Sequence, residues 1–75
     1  MDVHVYGRLT DIMGNTMLNP EEVKNTDQLK KKLASLFPDL SGLDYAIAVN
    51  NQIIGRNYPL QKNDVVSLLP PFSGG

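Results

Sequence analysis

Val65-Val66-Ser67-Leu68-Leu69-Pro70-Pro71-Phe72-Ser73-Gly74-Gly75 is the stretch on which the reading of this chain turns, because it joins an apolar strand directly to a proline pair and a glycine pair. Val65 to Leu69, entered from the polar turn Gln61-Lys62-Asn63-Asp64, reads as the last strand of a sheet. Two successive prolines restrict φ and favour an extended polyproline path, so residues 70–75 are expected to leave the body as a short strut. Gly74 and Gly75 have no Cβ, accept nearly any backbone conformation and form the thinnest end a peptide can have. The α-carboxylate of Gly75 is thereby suited to entering a narrow channel in another protein. A Gly-Gly end alone says little, since small-residue ends are commonplace. It acquires meaning when a folded body, here residues 1–69, directs its final strand into the tail, residues 70–75.

Working back from that strand, Tyr45-Ala46-Ile47-Ala48-Val49-Asn50 is a small-residue strand suited to a central place under a helix. Asn50-Asn51-Gln52 then turns the chain, and Ile53-Ile54 completes a hairpin that Gly55 ends. Upstream, Leu29, Leu33, Leu36 and Phe37 recur at i, i+4, i+7 and i+8, the apolar stripe of a helix whose solvated side carries Lys30, Lys31 and Lys32. Asn25 or Thr26 caps its start, Asn25 with Gln28 makes a capping-box pattern, Asp27 suits the positive end of the dipole, and Pro38 stops the helix. Pro38 to Asp44 reads as a loop. At the beginning, Val3 and Val5 alternate with Asp2, His4 and Tyr6 as in a half-buried strand ending near Gly7. Leu9, Ile12 and Met13 give a short helical connection closed by Gly14-Asn15, after which Thr16-Met17-Leu18 can pair with the first strand until Asn19-Pro20 limits it. Two strands, a helix and three strands predict an α+β domain, one sheet with one main helix packed across it.

Composition narrows the function classes. Seventy-five residues make one small domain, which buries only about 60% of the surface its unfolded chain exposes. With 20% charged residues and a net charge of −1, the chain has no polyanion-binding character, and nucleic acid is not an expected partner. The absence of cysteine removes disulfides, thiolate metal sites and thiol nucleophiles and fits a reducing compartment. No apolar run approaches the roughly 20 residues of a membrane span, and the first residues lack a signal-peptide pattern; a soluble cytoplasmic protein is expected. His4 has no second ligand near it, and Glu21 and Glu22 point apart in any regular structure, so neither a metal nor a paired-carboxylate site is expected. Arg8 reads most simply as one half of a surface ion pair. No glycine pattern suits a phosphate.

Ala48-Val49-Asn50 with its hairpin, Pro59-Leu60, the turn at Asp64-Val65-Val66 and Pro70-Pro71-Phe72-Ser73-Gly74-Gly75 together resemble, without a gap, the small ubiquitin-like sulfur carriers, and among them the small subunits of molybdopterin synthase. Val5-Tyr6-Gly7-Arg8 leading to Asp11-Ile12-Met13-Gly14 resembles them more loosely, with Thr10 standing where members often carry a second Arg. The resemblance implies a β-grasp fold, a mixed sheet of about five strands crossed by one helix. It also implies a chemistry centred on the Gly75 carboxylate, with Gly74 beside it. An E1-like adenylating enzyme, using ATP and magnesium that this chain does not itself bind, would make the acyl-adenylate, because a free carboxylate is a poor electrophile. A persulfide on a sulfur-donor protein would displace AMP, and the resulting thiocarboxylate would give its sulfur to a pterin precursor in the large subunit of molybdopterin synthase, within a heterotetramer. The partner-binding positions that the resemblance implies are Tyr6, Ile53, Leu69, Pro70, Pro71, Phe72 and Ser73. For Ile53 the residues themselves leave open ordinary core packing, whereas strand parity independently lets Tyr6 and Leu69 face outward.

Three other functions fit a tail of this kind: a sulfur carrier for thiamine synthesis or another thiolation, a protein modifier joined to lysines through Gly75, and an interaction domain with an incidental tail. The Pro-Pro-aromatic-Ser lead favours the molybdopterin branch.

Overall fold

The computed structural model describes residues 1–70. Pro71, Phe72, Ser73, Gly74 and Gly75, and with them most of the expected strut, lie outside the described residues. Five strands, β1 (Asp2–Val5), β2 (Thr16–Met17), β3 (Ala46–Val49), β4 (Gln52–Ile54) and β5 (Val65–Leu69), form one sheet in the order β2-β1-β5-β3-β4. The β1–β5 pair is parallel and the other pairs are antiparallel. The helix α1 (Thr26–Leu36) packs its Leu29 and Leu33 into the core formed by Val3, Val5, Ile47, Val49, Val66 and Leu68. This is the mixed sheet and single main helix of a β-grasp.

Period-two alternation explains why that core has one side. Val3 is opposite Val66, Val5 is opposite Leu68, and Ile47 and Val49 are opposite Leu68 and Val66, so all six side chains share the face toward the helix. The last strand occupies the middle position, where it is paired on both sides; β3, expected at the centre, is interior but one place away from it. Periodicity reports burial and cannot tell an interior strand from the middle one, since both are apolar on the covered face.

Local differences have local causes. The segment expected as a loop after Pro38 is a 3-10 helix, Pro38–Gly42, that drops Leu40 into the core at 2% exposure. Leu36, expected on the buried stripe, is 46% exposed, because the helix ends there and Phe37 leaves helical geometry. The first connection is likewise a 3-10 helix, Gly7–Asp11, anchored by fully buried Leu9. Asn25 caps α1 by accepting from the Gln28 backbone N–H at 2.8 Å. The reciprocal half of the box is displaced by one residue, since Gln28 Oε1 accepts from the Lys24 N–H at 2.8 Å rather than from Asn25.

Two polar clasps tie the elements together. Thr26, buried at 3% exposure, accepts from the Tyr58 N–H at 3.0 Å through Oγ1, while its own N–H donates to the Tyr58 carbonyl at 3.0 Å. This holds the helix start to the β4–β5 connection. At the opposite end of the sheet, the β3–β4 turn places Asn50 and Asn51 at φ 50° and 69°, the paired left-handed conformation of a two-residue hairpin, which Asn tolerates well. Asn50 Oδ1 accepts from the Val65 N–H at 3.0 Å and Asn50 Nδ2 donates to Asp64 at 2.9 Å, so the turn also fixes the entry of β5.

Candidate functional site

Among the described residues no element covers the face of the sheet away from the helix, and its strand register can be read row by row. His4, Ser67, Ala48 and Ile53 form one row across β1, β5, β3 and β4, and Leu69 with Ala46 begins the next. Tyr6 follows Val5, whose partner is Leu68, and so stands at the level of Leu69. Small residues at the middle of this face leave a low floor between larger apolar side chains.

Exposure resolves the question left open for Ile53. It is 67% exposed on the edge strand, opposite buried Ala48, and is therefore a surface residue rather than a core one. Tyr6 is 49% exposed, and Leu69 and Pro70 are half-buried. The structure thus brings Tyr6, Leu69 and Pro70 together at the end of the sheet from which the tail departs, with Ile53 on the same face across β3. Pro71, Phe72, Ser73, Gly74 and Gly75 belong to the same expected site and lie outside the described residues. At the far end of this face, Met17 and Val65, both opposite Asp2, are exposed as well; nothing in the sequence pattern had singled them out.

The root of the tail has a geometry that sequence reasoning missed. Gly7 adopts φ +60°, and a Cβ built on it would lie 2.8 Å from Pro70 Cγ. Thr10, the position where the implied second Arg is missing, donates its hydroxyl to the Gly7 carbonyl at 2.7 Å. A glycine directly after an extended strand was the available signal, but its need for positive φ depends on where the next element must go.

The remaining polar residues separate from this site. Lys32 reaches Glu22 at 3.4 Å and Lys24 reaches Glu21 at 3.6 Å, so Lys32 is not simply solvated and each glutamate has its own cation. Arg8 is exposed and belongs to neither of these ion pairs, the two found among the described residues. His4 is half-buried, and no cluster of metal-ligating side chains occurs among the described residues. The Tyr45 hydroxyl titrates above the ordinary tyrosine range because burial disfavours its anion. No helix among the described residues is long and apolar enough to cross a membrane.

The apolar side chains of the open face stand beside the end of the final strand, and comparison with known proteins gives the chain a family. The model of the ThiS family matches residues 3–75. The chain belongs to the ThiS family. Sulfur carriage is the role that this ThiS-family membership supports. Among solved structures, a chain of the protein–protein complex of subunits 1 and 2 of molybdopterin-converting factor from Helicobacter pylori 26695 superposes with a TM-score of 0.74. Sequence identity is 31% over 99% of this chain and 96% of that one. A ThiS-family fold with this neighbour agrees with the β-grasp expected from the sequence.

Proposed function

We propose that this protein is the sulfur-carrying small subunit of a molybdopterin synthase, with the Gly75 carboxylate as the site of sulfur loading. The observation that carries this reading is the union of an uncovered apolar face, formed by Tyr6, Ile53 and Leu69, with a final strand that ends at that face and runs into the tail. Likeness to a subunit found in a complex of molybdopterin-converting factor supports the choice of pathway.

The chemistry follows from what a carboxylate lacks. An E1-like partner transfers AMP from ATP to the Gly75 carboxylate and releases pyrophosphate, creating a leaving group. A persulfide sulfur of the donor protein attacks the acyl carbon and expels AMP, and a thiol then cleaves the acyl disulfide, leaving a thiocarboxylate and a disulfide. The thiocarboxylate sulfur is the nucleophile delivered to the pterin precursor in the large subunit. This chain's own contribution is docking and aim: Tyr6, Ile53 and Leu69 would seat the partner, and Pro70, Pro71, Phe72 and Ser73 would carry Gly74 and Gly75 into its channel, making the transfer effectively intramolecular.

The test is the intact mass of the protein after incubation with its activating enzyme, ATP and a sulfur donor, followed by a thiol-alkylating reagent. One alkyl adduct mapping to Gly75 is expected, and the absence of cysteine makes it unambiguous. Gly75→Val is expected to abolish the adduct without changing the melting curve, because a β-branched side chain blocks the channel. Normal loading of that variant would refute the channel. No adduct on the unaltered protein, with an activating enzyme competent on a known carrier, would refute the carrier. Branched Gly-Gly peptides on lysines of other proteins would instead identify a modifier, and transfer to a thiazole precursor would move the acceptor to thiamine synthesis.

A further inference from the structure

We propose that Gly7 is a positioning residue for the carboxy-terminal tail: its missing side chain leaves the seat in which the Pro70 ring rests, and that seat sets the direction in which the chain leaves the sheet. The geometry stands by itself, and its consequence for sulfur loading rests on the carrier reading above.

The backbone ladder cannot aim the tail. The last paired residue of β5 is Leu69, opposite Ala46, and Pro70 has no N–H with which to extend the pairing. Beyond Leu69 the path depends on what the Pro70 ring touches. On the β1 side that contact is Gly7, where the chain turns out of its strand at φ +60°, and an added Cβ would meet Pro70 Cγ at 2.8 Å and Cβ at 3.6 Å. The first distance is closer than real Cβ contacts come, so the ring would have to move.

The seat is also held still. Thr10 Oγ1 donates to the Gly7 carbonyl at 2.7 Å, the Leu9 N–H donates to the Tyr6 carbonyl at 3.2 Å, and Leu9 is fully buried beneath the turn. Five residues follow Pro70, a length that spans at most about 17 Å when extended. A tilt at the root therefore changes where that short reach begins, relative to a partner docked on the neighbouring face. Misplacement of about 1 Å at a reacting centre is enough to cost up to about 100-fold in rate.

A double-mutant cycle separates the ring contact from backbone strain. Gly7→Ala also forces an L-residue into left-handed geometry, but that strain is the same whatever stands at position 70. Pro70→Ala removes Cγ and Cδ, leaving only the Cβ contact. Loading rates would be measured by the alkylation assay for the unaltered protein, the two single variants and the double variant, with melting curves for each. Gly7→Ala is expected to slow loading by about tenfold or more in the Pro70 background and by less than about twofold in the Pro70→Ala background. Equal loading of Gly7→Ala and the unaltered protein, or an equal Gly7→Ala penalty in both backgrounds, would overturn the seat.

A second measurement keeps the two readings apart. A nuclear Overhauser contact between the Gly7 Hα and Pro70 Hγ protons of the unaltered protein is expected, and its absence overturns the seat whether or not the protein is loaded. If the contact is present and lost in Gly7→Ala, but the unaltered protein is never loaded, the seat stands and the carrier reading falls. Should Gly7→Ala fail to fold, Pro70→Ala decides in its place, since unchanged loading on loss of the ring would overturn the seat.

Discussion

Thr26 shows how much one hydroxyl organises here. Its Oγ1 satisfies the Tyr58 N–H at 3.0 Å in a buried setting, at the junction of α1 and the chain that leads to β5. Thr26→Val keeps the β-branched shape and removes the acceptor, leaving a donor unpaired. Equilibrium urea unfolding is expected to show a loss of about 1–3 kcal/mol. A loss of no more than roughly a few tenths of a kcal/mol would mean that the donor finds water instead. Sequence reasoning named Asn25 or Thr26 as the cap, and each turns out to hold a separate role. Asn25 is the cap proper, whereas Thr26 serves a contact 32 residues away that no local pattern encodes.

At the level of elements, the approach to β3 carries a pH signature. Tyr45 precedes that strand and packs partly against the core, where burial raises its hydroxyl above the ordinary tyrosine range. The folded state thus prefers the neutral phenol more than the unfolded state does. The associated stability is fully present below the unfolded value near pH 10 and falls as pH rises from there through the folded value. Chemical unfolding measured between about pH 9 and 12 should show this decline. Tyr45→Phe is expected to flatten part of the slope, and an unaltered slope in that variant would assign the decline to other groups. The helix and the strands are legible from their periods, yet the 3-10 helix Pro38–Gly42 lies within a stretch, Pro38 to Asp44, that the sequence presents as a loop, because a single buried Leu40 in a polar run has no period.

For the whole molecule, the decisive division is between the two faces of one sheet. The covered face holds the core, and the open face holds Ile53, 67% exposed, with Tyr6 and Leu69. Ile53→Asp is therefore expected to leave the melting temperature within about 2 °C of the unaltered protein, as befits an exposed site. The same variant is expected to lose large-subunit binding, read by calorimetry or co-elution. Unfolding would return Ile53 to the core, and undiminished binding would move the interface elsewhere on the molecule, for instance toward Met17 and Val65.

The sequence by itself determined the class of fold, the order of its elements and the helix stop at Pro38, because periodicity, capping residues and proline act over a few neighbours. It also carried the family resemblance, concentrated in the second half of the chain. What only the tertiary structure decided was which strand lies in the middle, that Ile53 is outside, and that Gly7 sits beneath Pro70. The first and third depend on residues far apart in the chain meeting through the parallel pairing of β1 with β5, and the second on which face of the sheet the helix covers. Such meetings are set by how whole elements pack, and no local stretch of sequence contains them.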